Sequence, residues 1–517
     1  MKIKGGDFLI HKTDPSSIFI PEEWNEEQIM LRDMVQDFLK KELHHLTEEP
    51  DATKDITFAK ELLDKSAELG LCGLHINENY GGTNLNFNSG LLYTEAMSWG
   101  FSFATTMGAH VSIGSLPIVY YGNEEQKKKY LPKIANAEMK AAYALTEPSA
   151  GSDANSGKTK ATIDKENNRY LINGQKMWIT NAGFADLFIV FAKIEDDKNL
   201  SAFIVEKSFG GITLGEEEKK LGIKGSSTRQ VFFTDCPVPE ENLLGEREGG
   251  FKIALNILNS GRIKLAAGSV GGSKFALNKA ISYAIERKQF GKSIAEFAAM
   301  KHKMGEMARR IFAAESAVYR TGKNIDQKEQ ELQKEGKNEN EVKLEALREF
   351  AIECAMMKVY STEVLDYCVD EALQIYGGMG YSAEAGVEMG YRDARITRIY
   401  EGTNEINRML AFAELMKRAF KTKELNLKQA GKKIPSTLIK RFFRIQKLTS
   451  EQVIENYKNL FLILSKYSFD AFGMELENEQ EVIMNLSDIL AETYVAESVY
   501  LRVKKLKQSK GSNSTIQ

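Results

Sequence analysis

The spacing of apolar residues changes period twice along this chain, and no other feature constrains its fold as much. From about residue 23 to 135, apolar positions recur at helical spacing, with Ile29, Leu31, Val35, Phe38 and Leu39 in one run and Phe58, Leu62, Leu63, Ala67 and Leu69 in another. Between about 140 and 245 the period falls to 2, in short runs rich in β-branched and aromatic residues at 170–174, 187–192, 202–205 and 231–233. From about 250 to 415 the helical period returns, as at Leu277, Ile281, Ala284 and Ile285. The expectation is an α+β chain: an all-helical amino-terminal domain, then an antiparallel sheet or small barrel, then a helix bundle. Within the β part, Asn173-Gly174 reads as a two-residue hairpin turn.

At 517 residues, 43% of them apolar, the chain is too long for one core and too apolar for disorder. Domain limits are expected at 1–139, 140–250, 251–418 and 419–517, the last a helical extension whose polar tail from Lys507 has no fixed structure. The stretch 326–343, dense in Lys, Glu, Gln and Asn, reads as a solvated helix or a loose loop connecting two helices of the bundle. A formal net charge of −3 removes the electrostatic case for nucleic-acid binding. The four cysteines have no C-x-x-C spacing, and the only adjacent histidines, His44 and His45, point to different helix faces. No metal site is therefore expected, and the cysteines read as buried apolar residues in a reducing compartment. The first seven residues lack the apolar core of a secretory signal, and no run of about 18 apolar residues occurs, so a cytoplasmic location is expected.

Four segments carry potential chemistry. Residues 143–153, Y-A-L-T-E-P-S-A-G-S-D, put hydroxyls and free backbone amides where helix gives way to strand; alone, they are equally a capped loop. Residues 176–181, K-M-W-I-T-N, put Trp178 and Thr180 on one strand face, which is also what core packing would do. Residues 374–380, Q-I-Y-G-G-M-G, let a backbone approach something flat or charged, yet form no dinucleotide fingerprint. In 398–406, R-I-Y-E-G-T-N-E-I, Glu401 is a candidate base in a poorly hydrated pocket or an acid at a helix start.

Taken together and in this order, these segments resemble the acyl-CoA dehydrogenase family over roughly residues 25–415. The two signature regions match at 144–153 and 374–408, and 222–229 (G-I-K-G-S-S-T-R), Gly261-Arg262 and 286–291 (E-R-K-Q-F-G) are also family-like. Residues 107–114, the 259–262 block and the carboxyl-terminal extension are most similar to the very-long-chain branch.

The resemblance implies FAD-dependent oxidation of an acyl-CoA to the trans-2-enoyl-CoA in fatty-acid β-oxidation, with electrons passed to an electron-transfer flavoprotein. Glu401 would be the base that removes the α-proton while hydride passes to flavin N5. Some relatives carry their base immediately before the matched arginine, where this chain has Gly261. The resemblance also implies flavin contacts from Tyr143, Leu145, Thr146, Trp178, Ile179, Thr180, Thr403 and Glu405. Arg287, Phe290, Gln374, Gly377 and Gly378 would reach the adenine diphosphate of a neighbouring subunit, which implies a dimer or tetramer. Ser152, Arg262 and Gly402 would meet substrate. The pocket floor is expected near 105–110, where the small Gly108 and Ala109 leave room for a long acyl chain or simply let helices pack. In the extension, Leu438, Ile439, Phe442, Phe443 and Ile445 form a stripe on a basic helix at 438–447 that either lies on an anionic membrane or docks on the protein's own core. An oxygen-using acyl-CoA oxidase and a catalytically weak flavoprotein-like scaffold are the competing readings.

Overall fold

A computed structural model describes residues 3–44, 50–422, 425 and 448–509. The polar tail was expected to lose fixed structure from Lys507, but 507–509 continue the last helix of the chain, because that helix packs along the bundle to its end; the tail beyond Ser509 and the expected basic helix at 438–447 lie outside the described residues. Among the described residues the amino-terminal part carries six α-helices, α1 Glu26–Glu42, α2 Thr57–Glu68, α3 Phe87–Met97, α4 Ser102–Gly108, α5 Leu116–Tyr121 and α6 Glu124–Ala135. Their starts are written locally. Asn25 and Asn123 each accept the backbone N–H three residues on, while Gln28 and Gln126 each accept the N–H of the cap residue through Oε1.

Eight strands follow: β1 Ala141–Ala144, β2 Lys160–Asp164, β3 Arg169–Thr180, β4 Leu187–Ile194, β5 Ser201–Glu206, β6 Ile212–Glu217, β7 Thr228–Pro239 and β8 Leu243–Leu244. They pair in the order β6-β7-β3-β2-β4-β5-β8, with β1 on β4. The ladders are antiparallel except that β4 runs parallel to both β1 and β2. β4 is buried on both faces, and alternate residues serve two cores. Leu187, Ile189 and Phe191 join the helical core, whereas Phe188, Val190 and Ala192 join the core between the strands.

Asn173-Gly174 makes no hairpin turn. It lies inside β3 at a bulge opposite β7, and the β2–β3 connection is made at 165–168, with Asn168 left-handed. Glycine is needed at 174 for close approach, because a Cβ there would lie 2.5 Å from Thr159 Oγ1. A local turn signal was overridden by the pairing of a twelve-residue strand with both neighbours.

The bundle is built on α7 Gly250–Glu286, α8 Ala298–Lys334, α9 Glu339–Glu349 and α10 Ala351–Tyr376, completed by α11 Gly378–Tyr381, α12 Val387–Ala394 and α13 Asn404–Met416. A short hairpin, β9 Lys288–Gln289 with β10 Lys292–Ser293, follows α7. The polar stretch at 326–343 is the end of α8 and the start of α9. It also works as a contact: Asp326 accepts the N–H groups of Phe87 and Asn88, and Glu329 pairs with Lys343 at 3.0 Å. In the extension, α14 Ser450–Phe472 and α15 Gln480–Ser509 close against the bundle. Arg320–Glu497, Arg502–Glu315 and Arg408–Asp488 tie α15 to α8 and α13. All four cysteines are buried and unpaired, no metal-ligand cluster occurs among the described residues, and no helix among them is long and apolar enough to cross a membrane.

Candidate functional site

A cavity of about 450 Å³ opens between the amino-terminal helices and α7. On α7 its lining recurs at steps of three or four residues from Gly261 through Gly268 and Gly272 to Lys279. That stripe spans about 27 Å at the helical rise of ~1.5 Å per residue. Thr105, Gly108 and Ala109 also line it, and the Cβ position of Gly108 meets open space. His110 turns away. Its Nδ1 accepts the Ala141 N–H at 3.1 Å and its Nε2 bonds Ile134 O at 3.0 Å, and burial pushes its pKa down to about 4.

Glu401 lies in this cavity with φ 58°, followed by Gly402 at φ 81°. Two successive left-handed residues are a strained turn, tolerated where surrounding bonds over-determine it. Arg262 Nε donates to Glu401 O at 3.3 Å, and Asn407 Nδ2 donates to the carbonyls of Glu401, Gly402 and Thr403. Lys358 Nζ donates to Gly402 O at 2.8 Å and to Asn404 Oδ1 at 2.7 Å. Thr403 caps α13 by accepting the Ile406 N–H at 3.3 Å.

With its backbone clamped, Glu401 turns its side chain into the cavity. Its Oε2 is buried and has no hydrogen-bond partner. Burial pushes its carboxyl up to about 7, against the pull of the Arg262 and Lys358 cations. Lys358 is pushed down to about 7 by the same burial. Such a carboxyl is poised to exchange a proton near neutrality.

Leu145, Thr146, Trp178 and Ile179 meet where β1 ends beside β3. Met177 N–H donates to Thr146 O at 2.9 Å, and the fully buried Lys176 reaches Leu145 O while pairing with Glu147 at 2.7 Å. Ile179 is buried. Trp178, at a second bulge with φ 57°, is 61% exposed. Tyr143 is buried in β1 with no partner for its Oη, and Thr180 lines the cavity. The expectation that Trp178 and Thr180 share one face of a regular strand is thus corrected: the bulge turns the indole outward.

Arg287, Phe290, Gln374, Gly377 and Gly378 do not join this site. They lie exposed at the carboxyl-terminal ends of α7 and α10, with Phe290 94% exposed. The two ends are held side by side by Tyr283 and Tyr376, whose rings stack at 4.0 Å. Ser152 is on an exposed loop outside the cavity lining, and Glu405 is exposed in the first turn of α13. Lys358 and Lys264 went unnoticed in the sequence. Each is a lone lysine inside an apolar helical run, in A-M-M-K-V and R-I-K-L-A, and that isolation was the available signal.

Residues 25–138 match the acyl-CoA dehydrogenase N-terminal domain, 142–236 its middle domain and 248–416 its C-terminal domain, and 456–517 match a further C-terminal domain of these enzymes. A probable acyl-CoA dehydrogenase of Bacillus subtilis is 42% identical over 99% of this chain and 87% of its own length. The human very long-chain specific mitochondrial acyl-CoA dehydrogenase is 41% identical over 69% of this chain and 53% of that protein. The crystal structure of an acyl-CoA dehydrogenase complexed with FAD from Bacillus anthracis superposes with a TM-score of 0.92 at 42% identity, covering 98% of this chain and 87% of that one. With matched domains running from the first helices to the end of the extension, the chain belongs to the acyl-CoA dehydrogenase family.

Proposed function

We propose that this chain oxidises long-chain fatty acyl-CoA thioesters to trans-2-enoyl-CoA in β-oxidation, with Glu401 as the base and an electron-transfer flavoprotein as electron acceptor. The dehydrogenase class and the use of FAD follow from family membership and from the FAD-bound relative. The observation that carries the assignment of the base is the Glu401 carboxyl, whose Oε2 is buried and unpaired, in a cavity that follows five turns of α7.

The residues around Trp178 suit a flat, hydrogen-bonding cofactor. An exposed indole in a strained conformation, a buried Tyr143 hydroxyl without a partner, and the edge formed by Leu145, Thr146, Ile179 and Thr180 offer one apolar wall and several polar contacts. Bound FAD supplies the hydride acceptor for the β-carbon. Glu401 takes the α-proton, and its backbone N–H stands next to Gly402, where no side chain obstructs a thioester oxygen. Arg262 and Asn407 keep that backbone from relaxing. Ser152 is assigned to the CoA moiety, and Thr403 and Glu405 to the flavin side of the turn.

Arg287, Phe290, Gln374, Gly377 and Gly378 are assigned to the adenine diphosphate of a second copy, so that the working form is a dimer or tetramer. Their exposure at paired helix ends supports this reading. The length of the α7 stripe and the open face of Gly108 support long acyl chains, and the apolar and basic residues of the sequence at 438–447 support peripheral membrane contact. The domain limits proposed are 139/140, 250/251 and 418/419.

The deciding experiment adds palmitoyl-CoA anaerobically to the purified FAD-loaded protein. Bleaching of the flavin spectrum is expected; an unchanged spectrum with FAD bound overturns the assignment.

A further inference from the structure

The wall of the cavity holds a lysine for which the described residues provide no carboxylate. Lys264 lies on α7 one turn beyond Gly261, lines the cavity and is only 7% exposed. Its one hydrogen-bond partner among the described residues is Ser112 Oγ at 3.4 Å, near the outer limit for a bond, and it takes part in none of their ion pairs. Ser112 belongs to a π-helical stretch, Ala109–Gly114, the kind of irregularity that re-aims side chains into a site. His75 lines the same cavity, and its Nε2 is buried with no partner.

The surroundings give this group no relief. A second cavity of about 40 Å³ lies behind it and shares Lys264 and His75 as lining. The other lysines there are already engaged, Lys343 with Glu329 at 3.0 Å and Lys127 with Asn340 Oδ1 at 3.1 Å. Glu339, the acid in that wall, is taken by Asn77 and Asn84. Burial, and then the charge of Lys343, pull Lys264 down to about 7. An apolar chain lying against this wall would leave Lys264 with only its long bond to Ser112 and His75 Nε2 with no partner, a cost that leucine at position 264 would reduce.

We propose that Lys264, with Ser112 and His75, binds a carboxylate carried by the acyl chain, so that the enzyme accepts ω-carboxyl acyl-CoA thioesters as well as unsubstituted ones. This rests on the reading of the cavity as the acyl site. The carboxylate accepts hydrogen bonds from the Lys264 ammonium and from the neutral His75 ring in the tautomer protonated at Nε2, and its charge keeps Lys264 protonated.

The test compares adipoyl-, suberoyl- and hexadecanedioyl-CoA, each against the unsubstituted chain of equal length, on FAD-loaded wild type and Lys264→Met. Anaerobic flavin bleaching gives kcat/KM, and calorimetry gives binding without turnover. For at least one length the wild type is expected to take the ω-carboxyl chain. The ratio of ω-carboxyl to unsubstituted kcat/KM, and the same ratio of affinities, are expected to fall at least tenfold in the variant. No ω-carboxyl binding at any length, or ratios that the variant leaves unchanged, overturns the proposal. If unsubstituted chains bind but never bleach the flavin, the assigned reaction fails, and the affinity ratios still decide the carboxylate site. Should Lys264→Met not hold FAD, Lys264→Gln, which keeps a polar head without the charge, carries the same comparison.

Discussion

The backbone of Gly261 faces the carboxylate of Glu401 so closely that a Cβ added at Gly261 would lie 2.6 Å from Oε2 and 2.8 Å from Cδ. Glycine at 261 is therefore the space in which the side chain at 401 rests. In Gly261→Ala the carboxylate must move aside while FAD binding is untouched. A displacement of about 1 Å at a reacting group costs on the order of 10²-fold in rate, so kcat for palmitoyl-CoA should fall by about that factor with an unchanged flavin spectrum.

Glu401→Gln removes the proton acceptor and keeps the shape. It should still bind FAD and acyl-CoA, while bleaching slows by about 10²–10⁴-fold, the usual contribution of a positioned base. In the wild type the carboxyl is pushed up to about 7, and only its ionised form can take a proton. Activity should therefore be lost as pH falls through about 7 and level off above it. An acid limb at the ordinary glutamate value, read from kcat/KM against pH, would contradict the buried carboxyl.

Lys358 acts on the same limb from behind. Its positive charge lowers the Glu401 pKa, so Lys358→Met should move the acid limb up by about one pH unit. The variant also loses two charge-assisted hydrogen bonds to the turn, at about 1.5–3 kcal/mol each, which a lowered Tm would report. A purely structural role would lower Tm and leave the limb in place.

Gly108 tests chain length. Its Cβ direction meets open cavity, so leucine there fills space without disturbing the helix. Excluding two methylenes at ~0.8 kcal/mol each should lower the palmitoyl-to-butyryl ratio of kcat/KM by about tenfold or more. An unchanged ratio would mean that the acyl chain takes another course.

Lys176→Met should destabilise the fold by about 3–5 kcal/mol, because it strands the buried Glu147 carboxylate paired with it at 2.7 Å. Glu147 also accepts the N–H groups of Lys158 and Thr159, so the segment after β1 should loosen with it. Thermal unfolding of the FAD-free and FAD-loaded variant measures both effects.

The sequence by itself determined the succession of helical, β and helical parts, because period 3.6 and period 2 are properties of local backbone geometry that each segment carries alone. It also singled out 143–153, 176–181 and 398–406, whose residue types have chemical meaning before any folding. Only the tertiary structure decided that Asn173-Gly174 lies inside a strand, since β2 and β7 pair with that stretch from both sides. It alone showed that Gly261, distant in sequence, leaves room for the Glu401 carboxylate, that the bulge in β3 turns Trp178 outward, and that Lys358 and Lys264 are buried. Burial and charge proximity arise when helices from distant parts of the chain pack together, and they set the proton affinity of a side chain that in isolation is an ordinary glutamate or lysine.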